Sequence, residues 1–269
     1  MYTHFRGIHL AWSTKKTKDE GKEQKKDVKR PVKSPVSIDR VPTEVVGLDE
    51  KMEGGVPSGF IVLIAGNSGS MKTSVAFSIL YNAYKKHNKK GMYISLEQSK
   101  GSIITHVERL GMPLKGMANP VIIDLSKVRK DTGKAGKEEK IDWLGSTLKV
   151  IKKYKEAFGC EILAFDSLAA LYAVNEFDNP RKDLFYFFEG LRDIGLTTFL
   201  ISEIPKGQDV YGIYGVEDFL SDGILHLKAE EMDTGTNIYL KVVKMRQTHH
   251  KRGFMPLIFD DGKFEVLKR

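Results

Sequence analysis

The sequence predicts an α/β protein with a mainly parallel central sheet, helices on both faces, and antiparallel hairpins at the C-terminal end. Three observations predict it. Short apolar runs alternate with helically spaced segments between residues 60 and 202. The first of those runs leads directly into a small-residue turn carrying Lys-Thr, and then into a helical stretch. Beyond residue 223 the alternation gives way to four strand-like runs with turn signals between them.

Each element has its own signal. Val45 to Gly59 contains Gly47-Leu48-Asp49 and Gly54-Gly55-Val56-Pro57, a looped lead-in. Phe60 to Ala65 is continuously apolar, as a strand covered on both faces requires. Ser74 to Lys86 reads as the helix after the turn. Met92 to Leu96 is a second strand, followed by Glu97-Gln98, and Ser102 to Leu110 is helical. Val121 to Asp124 is a third strand, and Lys127 to Lys140 a basic, glycine-containing loop. Ile141 to Phe158 has helical spacing through Ile141, Leu144, Leu148, Ile151 and Tyr154. Ile162 to Asp166 is the fourth strand and Thr197 to Ser202 the fifth. Between them, the aromatic-rich helix Leu184 to Ile194 reads as core packing. Ile224–Leu227, Asn237–Met245, Met255–Phe259 and Phe264–Leu267 form the hairpins, with turns at Asp233-Thr234-Gly235 and Asp260-Asp261-Gly262. There is no internal repeat.

Composition narrows the classes. The chain has 269 residues, enough for one sizeable domain over residues 41–269 behind a tail over residues 1–40. No apolar run is long enough to cross a membrane. The N-terminus has no signal-peptide core, because a Lys-rich stretch starts at Lys15. The single cysteine, Cys160, forms no internal disulfide and reads as packed rather than reactive. These features together point to a cytoplasmic protein.

A net charge of +8 suggests a polyanionic partner, but most of it is local. Residues 1–40 hold eleven Lys/Arg against five Asp/Glu, and the remainder is 32 against 30. The tail therefore reads as a solvated, disordered leader, or as a segment that meets nucleic acid or acidic lipid by counterion release. Phe5, Ile8, Leu10 and Trp12 near its start mark a docking segment, unless translation begins downstream. The nearly neutral domain has no overall nucleic-acid signature.

The chemistry is concentrated in the turn after the first strand: Gly66, Asn67, Ser68, Gly69, Ser70, Met71, Lys72 and Thr73, with Ser74 opening the helix. Strand, small-residue turn, Lys-Thr and helix together describe a phosphate-binding loop. Backbone N–H groups at the helix N-terminus surround a polyphosphate, and the helix dipole favours its charge. Lys72 reaches the terminal phosphates, and the Thr73 hydroxyl binds Mg²⁺. The usual pattern has Gly immediately before the Lys, where this chain has Met71. A positive φ there is costly for Met, so altered geometry around the β-phosphate is expected.

Three further sites are candidates. Asp166 ends an apolar strand and could hold Mg²⁺ through a water, although a strand-end Asp that starts a turn is common. Glu97 follows the strand after the loop's helix. It either orients or deprotonates a water for attack on the γ-phosphate, or is an exposed strand-end acid. Lys244 and Arg246 point the same way from one strand, either toward a triphosphate or simply into solvent. His249 and His250 have no further ligands at metal-binding spacing.

Taken together, these segments resemble the KaiC-like branch of the RecA-type P-loop ATPases, from about residue 41 onward. The resemblance is carried by Val46 to Asp49, Gly54 to Gly59, the loop itself, Tyr93 to Gln98, Phe165-Asp166-Ser167 and Ile201-Ser202-Glu203. It is also carried by Y-G-V-E-D-F-L-S-D at Tyr214–Asp222, the most specific of these, and by K-M-R-Q-T-H-H at Lys244–His250. The chain is similar to a single-domain, archaeal-type member, since it has one such loop where KaiC has two.

The resemblance implies a RecA-like fold and Mg·ATP bound between subunits of a ring, often a hexamer. Lys72 and Thr73 match the Walker A pair, and Asp166 the Walker B acid. Glu97 matches the first of two adjacent catalytic glutamates, and Gln98 replaces the second, which implies slow hydrolysis. Lys244 and Arg246 match finger residues that reach a neighbour's γ-phosphate, and His250 matches a histidine near that site. Asp218 and Phe219 stand where the kinase half of KaiC has its Ser-Thr phosphoacceptor pair, so self-phosphorylation there is not expected, although Ser221 is close. The leading expectation is an oligomeric ATPase whose nucleotide state governs its meeting with a protein partner. The alternatives are a recombination accessory protein that binds single-stranded DNA, and an ATP-binding scaffold without turnover.

Overall fold

Every strand read from the sequence enters one sheet, and the helices divide between its two faces. The computed structural model describes residues 37–126, 142–205, 210–233, 235–260 and 262–267. The chain divides into two units, Met1–Ser37 and Ile38–Arg269. Ser37 apart, every described residue belongs to the second unit. The basic loop at 127–140 and the leader up to residue 36 lie outside the described residues.

The lead-in forms β1 (Arg40–Val41), a 3-10 turn (Asp49–Met52) and β2 (Val56–Pro57). β3 (Ile61–Gly66), α1 (Lys72–His87), β4 (Gly91–Ser95), α2 (Lys100–Arg109) and β5 (Val121–Asp124) follow. Next come α3 (Trp143–Phe158), β6 (Ile162–Asp166), α4 (Leu168–Tyr172), α5 (Pro180–Ile194) and β7 (Thr197–Glu203). The chain ends with α6 (Glu217–Leu220), β8 (Gly223–Met232), β9 (Gly235–Met245), β10 (Met255–Asp260) and β11 (Lys263–Val266). Among the described residues no helix is long and apolar enough to cross a membrane.

β1 and β2 pair with each other, and the other nine strands form a sheet in the order β11-β10-β9-β8-β3-β7-β6-β4-β5. From β8 to β5 all pairs are parallel, and from β8 to β11 they are antiparallel. The central run of β3 is apolar throughout because both of its faces are covered. Val62 and Ile64 pack with Val75, Phe77 and Ile79 of α1 and Ile103 and Val107 of α2. Ile61, Leu63 and Ala65 pack on the other face with Ile151 of α3, Leu171 of α4 and Phe188 of α5.

The helix ends are set by local chemistry. Asp142 accepts from the Gly145 N–H to cap α3, and Asn179 accepts from the Lys182 N–H to cap α5, with Pro180 in its first turn. Gly159 and Gly195 close these helices in the left-handed conformation. Cys160 is buried, and that burial pushes its thiol pKa up.

Two elements go beyond the sequence reading. α5 packs into the core, as its composition suggests, through Leu184, Phe187, Phe188 and Leu191, whereas Phe185 and Tyr186 are 47% and 61% exposed. Composition alone does not tell the inner aromatics from the outer ones. The first hairpin strand also runs past Leu227 to Met232, because from Leu225 onward β9 pairs with it residue by residue, although Lys228, Ala229 and Glu230 are half-buried and Glu231 and Met232 exposed.

Candidate nucleotide-binding site

β3 delivers the chain to the loop at Gly66. A Cβ there would stand 2.2 Å from the Leu227 carbonyl oxygen and 2.5 Å from Ser70 Oγ, so only glycine fits. Ser70 is buried and its hydroxyl donates to the Asn67 carbonyl at 2.7 Å, which closes the turn. The Asn67 side chain bonds both backbone groups of Ala229 on β8 and ties the loop to the neighbouring strand. Ser68 and Gly69 are exposed at the tip. α1 then begins with no acidic residue in its first turn, as an anion site at a helix N-terminus requires.

Met71 takes φ +65° and ψ +23°, the left-handed conformation. The backbone thus adopts at Met71 the shape that the usual glycine gives without cost, and the Met side chain packs against the core. Strain of roughly 1–2 kcal/mol is set against the apolar contact of a half-buried side chain. Met71→Gly removes both terms, so folding stability should change by less than about 1 kcal/mol. Met71→Val keeps a Cβ and adds a branch, so it should lose about 2 kcal/mol or more. Denaturant unfolding of the two variants measures this. Equal losses would mean that the positive φ is not what the position demands.

The Lys72 ammonium donates to the carbonyls of Gly66 at 3.0 Å and Asn67 at 2.9 Å. Burial lowers its pKa, against the raising influence of Glu203, Asp166 and Glu97. Thr73 Oγ1 donates to Asp166 Oδ2 at 2.9 Å, and the Tyr93 hydroxyl donates to the same oxygen at 2.5 Å. Burial raises the Asp166 pKa and the Glu97 charge adds to it, while the Tyr93 and Thr73 bonds and Lys72 oppose. Burial, then the Asp166 charge, push the Tyr93 hydroxyl pKa well up.

Glu97 lies two residues past β4 and is exposed, and its Oε1 accepts from Ser167 Oγ at 2.5 Å. Ser167 also caps α4 through the Ala170 N–H, so the same hydroxyl is fixed by one element and directs the carboxylate of another. Gln98 is turned toward α2, with its Oε1 accepting from Ser102 Oγ at 3.3 Å. The Ser74 hydroxyl does not face the loop but meets His106 Nε2 on α2 at 3.0 Å.

Lys72, Thr73, Asp166 and Glu97 are thus brought together at the carboxyl ends of the parallel strands, where open α/β sheets place ligands. Lys244, Arg246 and His250 are not. β9 is antiparallel to β8, with Met245 opposite Gly223 and Gly223 beside Val62, so Arg246 emerges where β3 begins. Lys244 Nζ donates to the carbonyls of Asp218 at 2.8 Å and Ser221 at 2.7 Å. Arg246 bonds Asp222 Oδ1 at 2.8 Å and the Phe219 carbonyl at 3.1 Å. His250 Nδ1 lies 3.3 Å from the Lys251 carbonyl oxygen.

Sequence reasoning passed over Tyr93, Ser167 and Glu203 as site residues. Tyr93 sits inside an apolar run, and its contact with Asp166 exists only because β4 and β6 are neighbours. Glu203 ends an apolar strand as Asp166 does, a local signal of the same kind.

The family described as the KaiC ATPase matches residues 41–269. The chain is 27% identical over 227 residues to the circadian clock oscillator protein KaiC of Parasynechococcus marenigrum, covering 82% of this chain and 43% of that one. It is also 27% identical over 234 residues to KaiC of Prochlorococcus marinus subsp. pastoris, covering 84% and 45%. The chain therefore spans less than half the length of these curated relatives. A crystal structure of a KaiC-like protein from Pyrococcus horikoshii OT3 has the same fold, with a TM-score of 0.73 at 24% identity, covering 86% of this chain and all of that one. With the family matched over 41–269 and a Walker-type loop in place, this chain belongs to the KaiC-like branch of the P-loop ATPases.

Proposed function

We propose that this protein binds Mg·ATP at Gly66–Thr73 and hydrolyses it slowly, within a ring of identical subunits whose nucleotide state governs contact with a protein partner. Each site is completed by Lys244 and Arg246 of the neighbouring copy. The charge around Lys72 carries the reading: among the described residues that act on it, Glu97, Asp166 and Glu203 are all acids. One ammonium among three carboxylates does not balance a triphosphate, and the two candidate finger cations lie at the opposite end of the sheet. A second copy can bring them to the loop.

Thr73 and Asp166 fit a hard divalent cation, since a hydroxyl and a carboxylate oxygen stand 2.9 Å apart beside the phosphate loop. Thr73 and Asp166 would hold Mg²⁺, which when bound would offset the negative charge of the phosphates. Lys72 donates to the terminal phosphates, and the N–H groups of the loop and of the first turn of α1 orient the chain of phosphates. Glu97, held by Ser167, aligns the attacking water and accepts its proton. Gln98 cannot act as a base and is engaged by Ser102, which keeps turnover slow. The same contact favours a second reading, ATP binding without turnover.

The surface around the finger cations supports assembly. Phe219, whose carbonyl Arg246 holds, is 77% exposed, and it shares an open groove with Phe185 and Tyr186 of α5. An exposed apolar patch of this kind marks an interaction surface.

The test mixes two inactive variants, Lys72→Ala and Lys244→Ala/Arg246→Ala, each first shown by circular dichroism to be folded. In mixed assemblies some interfaces pair an intact loop with intact fingers, and phosphate release should reappear. No recovery in co-assembled rings, or an active monomer by sedimentation, would sink the shared site.

A further inference from the structure

We propose that the Tyr93 hydroxyl is a positioning group for the cation of this site, holding the Asp166 carboxylate in the orientation the metal needs. The inference rests on the reading of Gly66–Thr73 as an Mg·ATP loop. Tyr93 is fully buried on β4, and its ring lies against Phe77 of α1 with centroids 5.3 Å apart. Phe at this position would fill the same space. A buried hydroxyl costs free energy unless it is bonded, so the oxygen is accounted for by its partner, Asp166 Oδ2, at 2.5 Å.

The geometry follows from the register. Tyr93 lies opposite Ala164, two residues before the Ser95–Asp166 pair, and its long side chain reaches up the sheet face to the end of β6. Asp166 Oδ2 thereby takes one donor from β4 and one from Thr73 in the first turn of α1. Two donors converging from different elements fix the rotamer of the carboxylate and tie it to the loop's own hydroxyl. Among the described residues, removing the Tyr93 hydroxyl leaves Thr73, itself a candidate ligand, as the side-chain hydrogen-bond donor to Asp166. Groups that orient a metal ligand in this way typically contribute 10–100-fold to metal affinity.

Tyr93→Phe removes the oxygen and keeps the ring, so the full chain folds, as circular dichroism will verify. Two quantities are read: the affinity of the nucleotide-bound protein for Mn²⁺, followed by electron paramagnetic resonance, and the affinity for a fluorescent ATP analogue in EDTA. We expect Mn²⁺ affinity to fall about tenfold, with metal-free nucleotide affinity unchanged within about twofold. Phe77→Leu, which loosens the ring's packing but leaves the hydroxyl, should keep wild-type Mn²⁺ affinity. Unchanged Mn²⁺ affinity in Tyr93→Phe overturns the proposal, and so does an equal loss of metal-free nucleotide binding, which would mark a merely structural role. A wild-type protein that binds no nucleotide overturns the loop reading itself, and Tyr93 with it. Wild-type binding that needs the metal, matched by Tyr93→Phe, overturns Tyr93 alone.

Discussion

Glu97→Gln should abolish ATP turnover, by at least about 100-fold, while ATP affinity stays within about twofold. Catalysis at a phosphoryl-transfer site is mostly positioning and charge stabilisation, with one group aligning the water. Glu97 is an exposed acid just past the carboxyl end of β4, and its charge acts on Lys72. Its carboxylate is directed by Ser167, which α4 fixes in turn. The amide of Gln is isosteric and can still accept from Ser167 Oγ, but it cannot take a proton. Gln98, next in the chain, offers no substitute base and is bonded to Ser102. Phosphate release at saturating ATP measures the effect, and equilibrium binding gives the affinity. Wild-type turnover in Glu97→Gln would make Glu97 a bystander. The reverse change, Gln98→Glu, should raise turnover if the second acid is what the site lacks.

Lys72→Ala should lower Mg·ATP affinity by about 100-fold, the scale of truncating one partner of a desolvated charge pair. The ammonium is the one cation set among Glu97, Asp166 and Glu203 in the described part of the site. Losing it removes the donor to the phosphates and leaves those acids unopposed. The fold should survive. Among the described residues the ammonium's hydrogen bonds go to the carbonyls of Gly66 and Asn67, and the latter lies at the exposed edge of the loop where water can replace the bond. Stability should change by less than about 1 kcal/mol. Isothermal titration with Mg·ATP and a denaturant melt separate the two. Undiminished affinity in a folded variant would overturn the assignment of the loop.

The phosphate loop was legible in the chain because everything that makes it is contiguous. An apolar run makes β3, glycines stand where no Cβ fits or where φ is positive, and Lys72-Thr73 opens a helix. The alternation of strands and helices was legible for the same reason, since periodicity is a local property of the chain. Asp166 could be named because it closes an apolar strand, and the hairpins because their turns carry Asp and Gly. α4 and α6 left no signal, because helices of five and four residues are too short to show a period and exist through the packing around them.

What only the tertiary structure decided depends on pairings between distant segments. Tyr93 meets Asp166 across 73 residues because β4 lies beside β6, and no local pattern encodes that adjacency. In the sequence, Lys244 and Arg246 read as facing either a triphosphate or solvent. The antiparallel register of β9 on β8 puts them at the far end of the sheet, since side-chain direction is local while strand order is a property of the whole fold.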